Sequence, residues 1–124
     1  MPSNERILVV EDDPDGQEVV STMLEHLNIA IDVAYDAEQA ENLLFSAAQH
    51  YKAVIIDLAL PGKDGWEFLS EIQNNPETNH IPCIAVTAYH TSKTREEALT
   101  AGFSGYFAKP IDATTFSREL ESFL

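Results

Sequence analysis

Five short apolar runs punctuate the chain: Ile7 to Val10, Ile31 to Ala34, Ala53 to Ile56, Cys83 to Val86 and Tyr106 to Ala108. Each has the length of a strand, and such unbroken apolar runs predict strands covered on both faces. Longer segments between them carry apolar residues at helical spacing: Val19, Val20, Met23, Leu24 and Leu27; Ala40, Leu43, Leu44 and Ala47; Phe68, Leu69 and Ile72; Phe116, Leu120 and Phe123. Segment 91–101, TSKTREEALTA, is mostly polar, with Ala98 and Leu99 its obvious core contacts, and Gly102 stands where a helix C-cap belongs. Asp13 followed by Pro14 reads as an N-cap with proline at the first helical position. Tyr35-Asp36 reads as a second helix start, and Asp64-Gly65 as a turn. There is no repeat and no linker. Strand and helix alternate through five βα units, which predicts an α/β domain over 1–124: a doubly wound parallel sheet with helices on both faces.

In such sheets the site lies beyond the carboxyl ends of the strands. Residues just after the apolar runs therefore carry the functional question. They are Glu11-Asp12-Asp13-Pro14, then Asp57, then Thr87, then Lys109-Pro110. Taken singly, Asp57 could be a turn residue, Thr87 an ordinary strand end and Lys109 a surface lysine. Together, at the one edge where α/β sites form, they point to chemistry. Glu11, Asp12 and Asp57 would place three carboxylates close together, where like charges raise each other's pKa. A hard divalent cation such as Mg²⁺ removes that conflict, because it takes carboxylate oxygens plus water and phosphate. A lysine and a hydroxyl in the same pocket complete the parts that stabilise a transferring phosphoryl group. Asp57 is placed to act as a carboxylate nucleophile, giving an aspartyl phosphate.

Composition narrows the alternatives. With 21 Asp and Glu against 7 Lys and Arg, the net charge of −14 argues against nucleic-acid binding, which needs clustered cations. No apolar stretch is long enough to span a bilayer and the start, MPSNER, has no apolar signal core, so a cytoplasmic protein without membrane contact is expected. The lone Cys83 cannot form an internal disulfide and reads as a small core residue. His26, His50, His80 and His90 show no metal-binding spacing.

The four pieces VVEDD, IIDLALPGKDG, AVTAY and GYFAKP, in that order and each after a predicted strand, resemble the receiver domain of two-component response regulators. The resemblance covers about residues 5 to 124. It implies a flavodoxin-like fold with strand order 2-1-3-4-5 and five helices. It implies Asp57 as phosphoacceptor and a Mg²⁺ site of Asp12, Asp57 and the Ala59 carbonyl, with Glu11 acting mainly through water. It implies Thr87 and Lys109 as phosphoryl contacts, Tyr106 as an aromatic switch that follows Thr87, and a cis peptide at Pro110. Ala59 leaves the pocket open, and Tyr89 is expected to cover part of it. The implied partners are a histidine kinase or histidine phosphotransfer protein and a downstream protein target, with a homodimer through the 88–124 face as a further expectation. The expected protein accepts phosphoryl on its own aspartate and is not a turnover enzyme. A haloacid-dehalogenase-type phosphatase is disfavoured, since its second Asp would fall at Ala59. An unphosphorylated binding module is disfavoured because acceptor, acidic pair and lysine are all present. The chain ends after its fifth helix, so a free-standing regulator or an excised receiver is expected.

Overall fold

The structure, a computed structural model, describes residues 6–45 and 51–122. Strands β1 (Arg6–Val10), β2 (Ala30–Ala34), β3 (Tyr51–Asp57), β4 (Cys83–Thr87) and β5 (Gly105–Ala108) form one parallel sheet in the order β2-β1-β3-β4-β5. Between and after them run α1 (Pro14–His26), α2 (Ala37–Phe45), α3 (Gly65–Gln73), α4 (Ser92–Ala101) and α5 (Ala113–Glu121). This is the predicted fold. Chain connectivity runs outward in both directions from the centre of the sheet, and the switch point falls between β1 and β3.

Strand alternation divides the core in two. Ile7, Val9, Ala53, Ile55, Ile84, Val86 and Phe107 pack with α1 and α5 through Val20, Leu24, Phe116 and Leu120. Leu8, Val10, Val54, Ile56, Cys83, Ala85 and Tyr106 face the other way and meet α2, α3 and α4 through Ala40, Leu44, Phe68, Leu69, Ile72 and Ala98. Cys83 is buried there, and burial pushes its thiol up to about 12, as suits a core residue.

The helix signals held in part. Asp13 caps α1 by accepting from the Asp15 N–H, with Pro14 in the first turn. Asp36 accepts from the Gln39 N–H at the start of α2. Gly102 ends α4 at φ +120°, a conformation that costs a residue with a Cβ. Three expectations need correction. Asp64 is more than a turn residue: it is the N-cap of α3, and its side chain and that of Glu67 each bond the other's backbone in a capping box. Val19 and Leu99 are not core residues, being 44% and 43% exposed. Val20 occupies the inward face of α1, and Ala98 alone in α4 is buried. The expected contacts of Ala47, Phe123 and His50 lie outside the described residues.

Candidate functional site

Three strand ends converge at the carboxyl edge. Glu11 follows β1, Asp57 ends β3 and Lys109 follows β5. Their rows continue Ile7 and Val9, Ala53 and Ile55, and Phe107, all of which serve the α1/α5 face. The Lys109 ammonium donates to Glu11 Oε1 at 2.7 Å and to Asp57 Oδ2 at 3.0 Å. Both carboxylates are buried, Glu11 at 3% and Asp57 at 6% exposure. The other Asp57 oxygen, Oδ1, accepts the Ala59 N–H at 2.9 Å. Glu11 Oε2 accepts the Asp13 N–H at 3.2 Å, and Gln17 Nε2 donates to the Glu11 carbonyl at 2.6 Å. The fold thus holds the Glu11 and Asp57 carboxylates by two protein donors each.

The charge balance is unusual. Burial, and then the neighbouring Asp57, push the Glu11 carboxyl up to about 7 against the opposing pull of Lys109. Burial works against the Lys109 ammonium, but its bonds to Glu11 and Asp57 outweigh that and hold it above its ordinary value. One ammonium thus faces two buried acids.

Asp12 is exposed at the rim. One carboxylate oxygen each from Glu11, Asp12 and Asp57 lie within 4.8 Å of one another. Three hard oxygen donors that crowd each other in this way fit Mg²⁺, whose charge would offset the second buried acid. Ala59 touches Asp57 through its N–H.

Thr87 and Tyr106 belong to the other side of the sheet. Thr87 is buried, and its hydroxyl accepts the Tyr89 N–H at 3.0 Å; its carbonyl accepts the Lys109 N–H at 2.8 Å. Tyr106 is buried with its hydroxyl 3.0 Å from His90 Nδ1. A cavity of ≈ 260 Å³ opens on this side, lined by Ala59, Trp66, Thr87, Tyr89, Thr94 and Glu97 among others. Tyr89 is 75% exposed and lines this cavity together with Ala59 and Thr87. The Lys109–Pro110 peptide is cis. Sequence spacing brought the acids, Thr87 and Lys109 to one edge but missed Asp13 and Gln17 as supports of Glu11. The signal for them was weak: they stand at the cap and in the first turn of α1, a stretch that reads as a helix start and nothing more.

The chain resembles known proteins along its whole described length. A family model for the response regulator receiver domain matches residues 7–121. An uncharacterised 14.6 kDa protein of Leptolyngbya boryana is 35% identical over 117 residues, covering 94% of this chain and 88% of that protein. The transcriptional regulatory protein PmrA of Pectobacterium parmentieri is 34% identical over 119 residues, covering 96% of this chain but only 52% of its own length. The crystallised receiver domain of sensor histidine kinase PA1611 from Pseudomonas aeruginosa PAO1, with magnesium coordinated in its active site cleft, is 33% identical at a TM-score of 0.84, with 98% of each chain covered. Among the described residues, no helix is long and apolar enough to cross a membrane. With a receiver fold, a receiver family model and an acidic cluster at the switch point, the chain belongs to the response regulator receiver domain family of two-component systems.

Proposed function

We propose that this domain accepts a phosphoryl group on Asp57 from a phosphohistidine of a partner histidine kinase or phosphotransfer protein, and that the modification changes a protein-binding surface. The observation that carries the reading is the Lys109 ammonium shared between buried Glu11 and Asp57 beside the exposed Asp12. Asp57 supplies the nucleophile: its oxygen forms the new P–O bond as the P–N bond breaks, and the imidazole leaves with the electron pair. Glu11, Asp12, Asp57 and the Ala59 carbonyl would hold Mg²⁺, which supplies charge neutralisation for the phosphoryl oxygens. Lys109 is placed to follow the transferred charge, since its ammonium already touches the attacking carboxylate. The Thr87 hydroxyl contributes a donor from the opposite side once it turns from the Tyr89 N–H. Domain 1–124 serves as one receiver unit, acts once per phosphoryl received and is not a turnover enzyme.

Intact-protein mass spectrometry after incubation with Mg²⁺ and a phosphorylated histidine phosphotransfer domain tests the proposal. Wild type should gain one phosphate, and neither Asp57→Asn nor EDTA-treated protein should. A phosphate that persists on Asp57→Asn would move the acceptor elsewhere and end this assignment.

A further inference from the structure

Glycine is a poor residue for a helix, yet Gly16 stands in the first turn of α1, with a backbone conformation that any residue could adopt. Its surroundings give the reason. A Cβ at this position would lie 2.7 Å from Glu11 Oε1, 2.8 Å from Cδ and 3.2 Å from Cγ. The far end of a flexible side chain usually swings clear of such a contact. Glu11 cannot do so freely, because it is buried and its two oxygens are held by Lys109 at 2.7 Å and by the Asp13 N–H at 3.2 Å. Glu11, Gly16, Lys109 and Pro110 also line one groove of ≈ 460 Å³.

We propose that Gly16 is a positioning residue of the acidic site: its bare Cα leaves the volume in which the Glu11 carboxylate folds over α1 to meet Lys109. The metal consequence rests on the Mg²⁺ reading above; the contact itself does not. A methyl group at position 16 drives the Glu11 carboxylate off Lys109 and disturbs the spacing of the three acids. Alanine is the better helix former, so α1 regains part of the stability lost with the Glu11–Lys109 contact and the fold stays intact. The Lys109 ammonium signal and the Mg²⁺ affinity, rather than stability, therefore separate a positioning role from a structural one.

The test is a cycle of Gly16→Ala and Glu11→Asp. The aspartate is one methylene shorter, which draws the carboxylate back from the new methyl group and leaves only the 3.2 Å contact at Cγ. Gly16→Ala should weaken Mg²⁺ binding, read by calorimetry, by about ten-fold. In the Glu11→Asp background it should change affinity by less than about two-fold. Gly16→Ala should still unfold in one cooperative thermal transition, as a folded protein does. In metal-free protein, the ¹⁵N signal of the Lys109 ammonium should move on Gly16→Ala when Glu11 is present and stay put when Asp replaces it. Equal weakening in both backgrounds, or an unmoved ammonium signal in the Glu11 background, overturns the proposal. Should wild type bind no Mg²⁺, the metal reading fails, and the ammonium signal still decides the role of Gly16.

Discussion

At the scale of the residue, the molecule is organised around one ammonium. Lys109 donates to two carboxylates from two different strands, both buried. Removing one partner of a buried ion pair usually costs about 3–5 kcal/mol, because the charge left behind keeps its desolvation penalty. Here Glu11 is already pushed up to about 7 and can take a proton instead, which limits the loss. Lys109→Ala should therefore cost about 2–3 kcal/mol in metal-free protein near pH 8 and clearly less near pH 5, where the carboxyl group is neutral. Urea unfolding in EDTA at the two pH values measures this. A variant as stable as wild type near pH 8 would mean that the two acids do not depend on Lys109. The same variant should still accept phosphoryl, since Asp57 is intact, but should lose the change that follows it.

At the scale of the element, the sequence was readable wherever one force dominated. The five apolar runs gave the strands because continuous burial leaves few alternatives, and their ends located Asp57, Thr87 and Lys109 at one edge. What hydrophobic spacing could not give was the rotation of a helix. Val19 and Leu99 fit the period as well as Val20 and Ala98 do, but the sheet surface accepts only one of each pair. Nor could it show that Asp64 and Glu67 close a capping box, because Asp-Gly is also a turn signal. Polar contacts between strands were equally hidden. Arg6 Nε donates to Asp32 Oδ2 at 3.1 Å, and the Tyr51 hydroxyl donates to the same oxygen at 2.7 Å, tying the starts of β1 and β3 to the middle of β2. The Arg6 guanidinium holds the Asp32 carboxyl below its ordinary 3.8, against some burial and with help from Tyr51. A lowered carboxyl stabilises the fold above the unfolded value, and that contribution drains away as pH falls through the folded one. Asp32→Asn should thus cost about 1–2 kcal/mol at neutral pH, a figure reduced for partial exposure. The gap to wild type should close as pH falls below 3.8, measured by urea unfolding across the acid limb. A gap that stays constant would show that the pair contributes through shape rather than charge.

At the scale of the whole molecule, the two faces of the sheet divide the work. The acids and Lys109 continue rows that serve α1 and α5, whereas Tyr106 packs on the side of α2, α3 and α4. One route from Asp57 to the second face runs through the β4 end, where Thr87 bonds both the loop ahead of α4, through Tyr89, and the residue after β5, Lys109. The receiving element is weakly held. Helix α4 buries Ala98 alone, and its end is tied to α3 by the Gln73 amide donating to the Ala101 carbonyl at 2.9 Å. Tyr106 reaches the same loop through His90. An element with so little apolar anchorage should open locally at a much lower free energy than β3, so its amides should exchange at least about ten-fold faster. A phosphoryl mimic need then supply only a small differential affinity to shift it. Hydrogen exchange with and without beryllofluoride and Mg²⁺ tests this. Protection should change across residues 87–108 and stay constant in β1 and β2. If the mimic binds yet the change spreads evenly over both faces, α4 is not the bistable element, and the output surface must lie elsewhere on the domain.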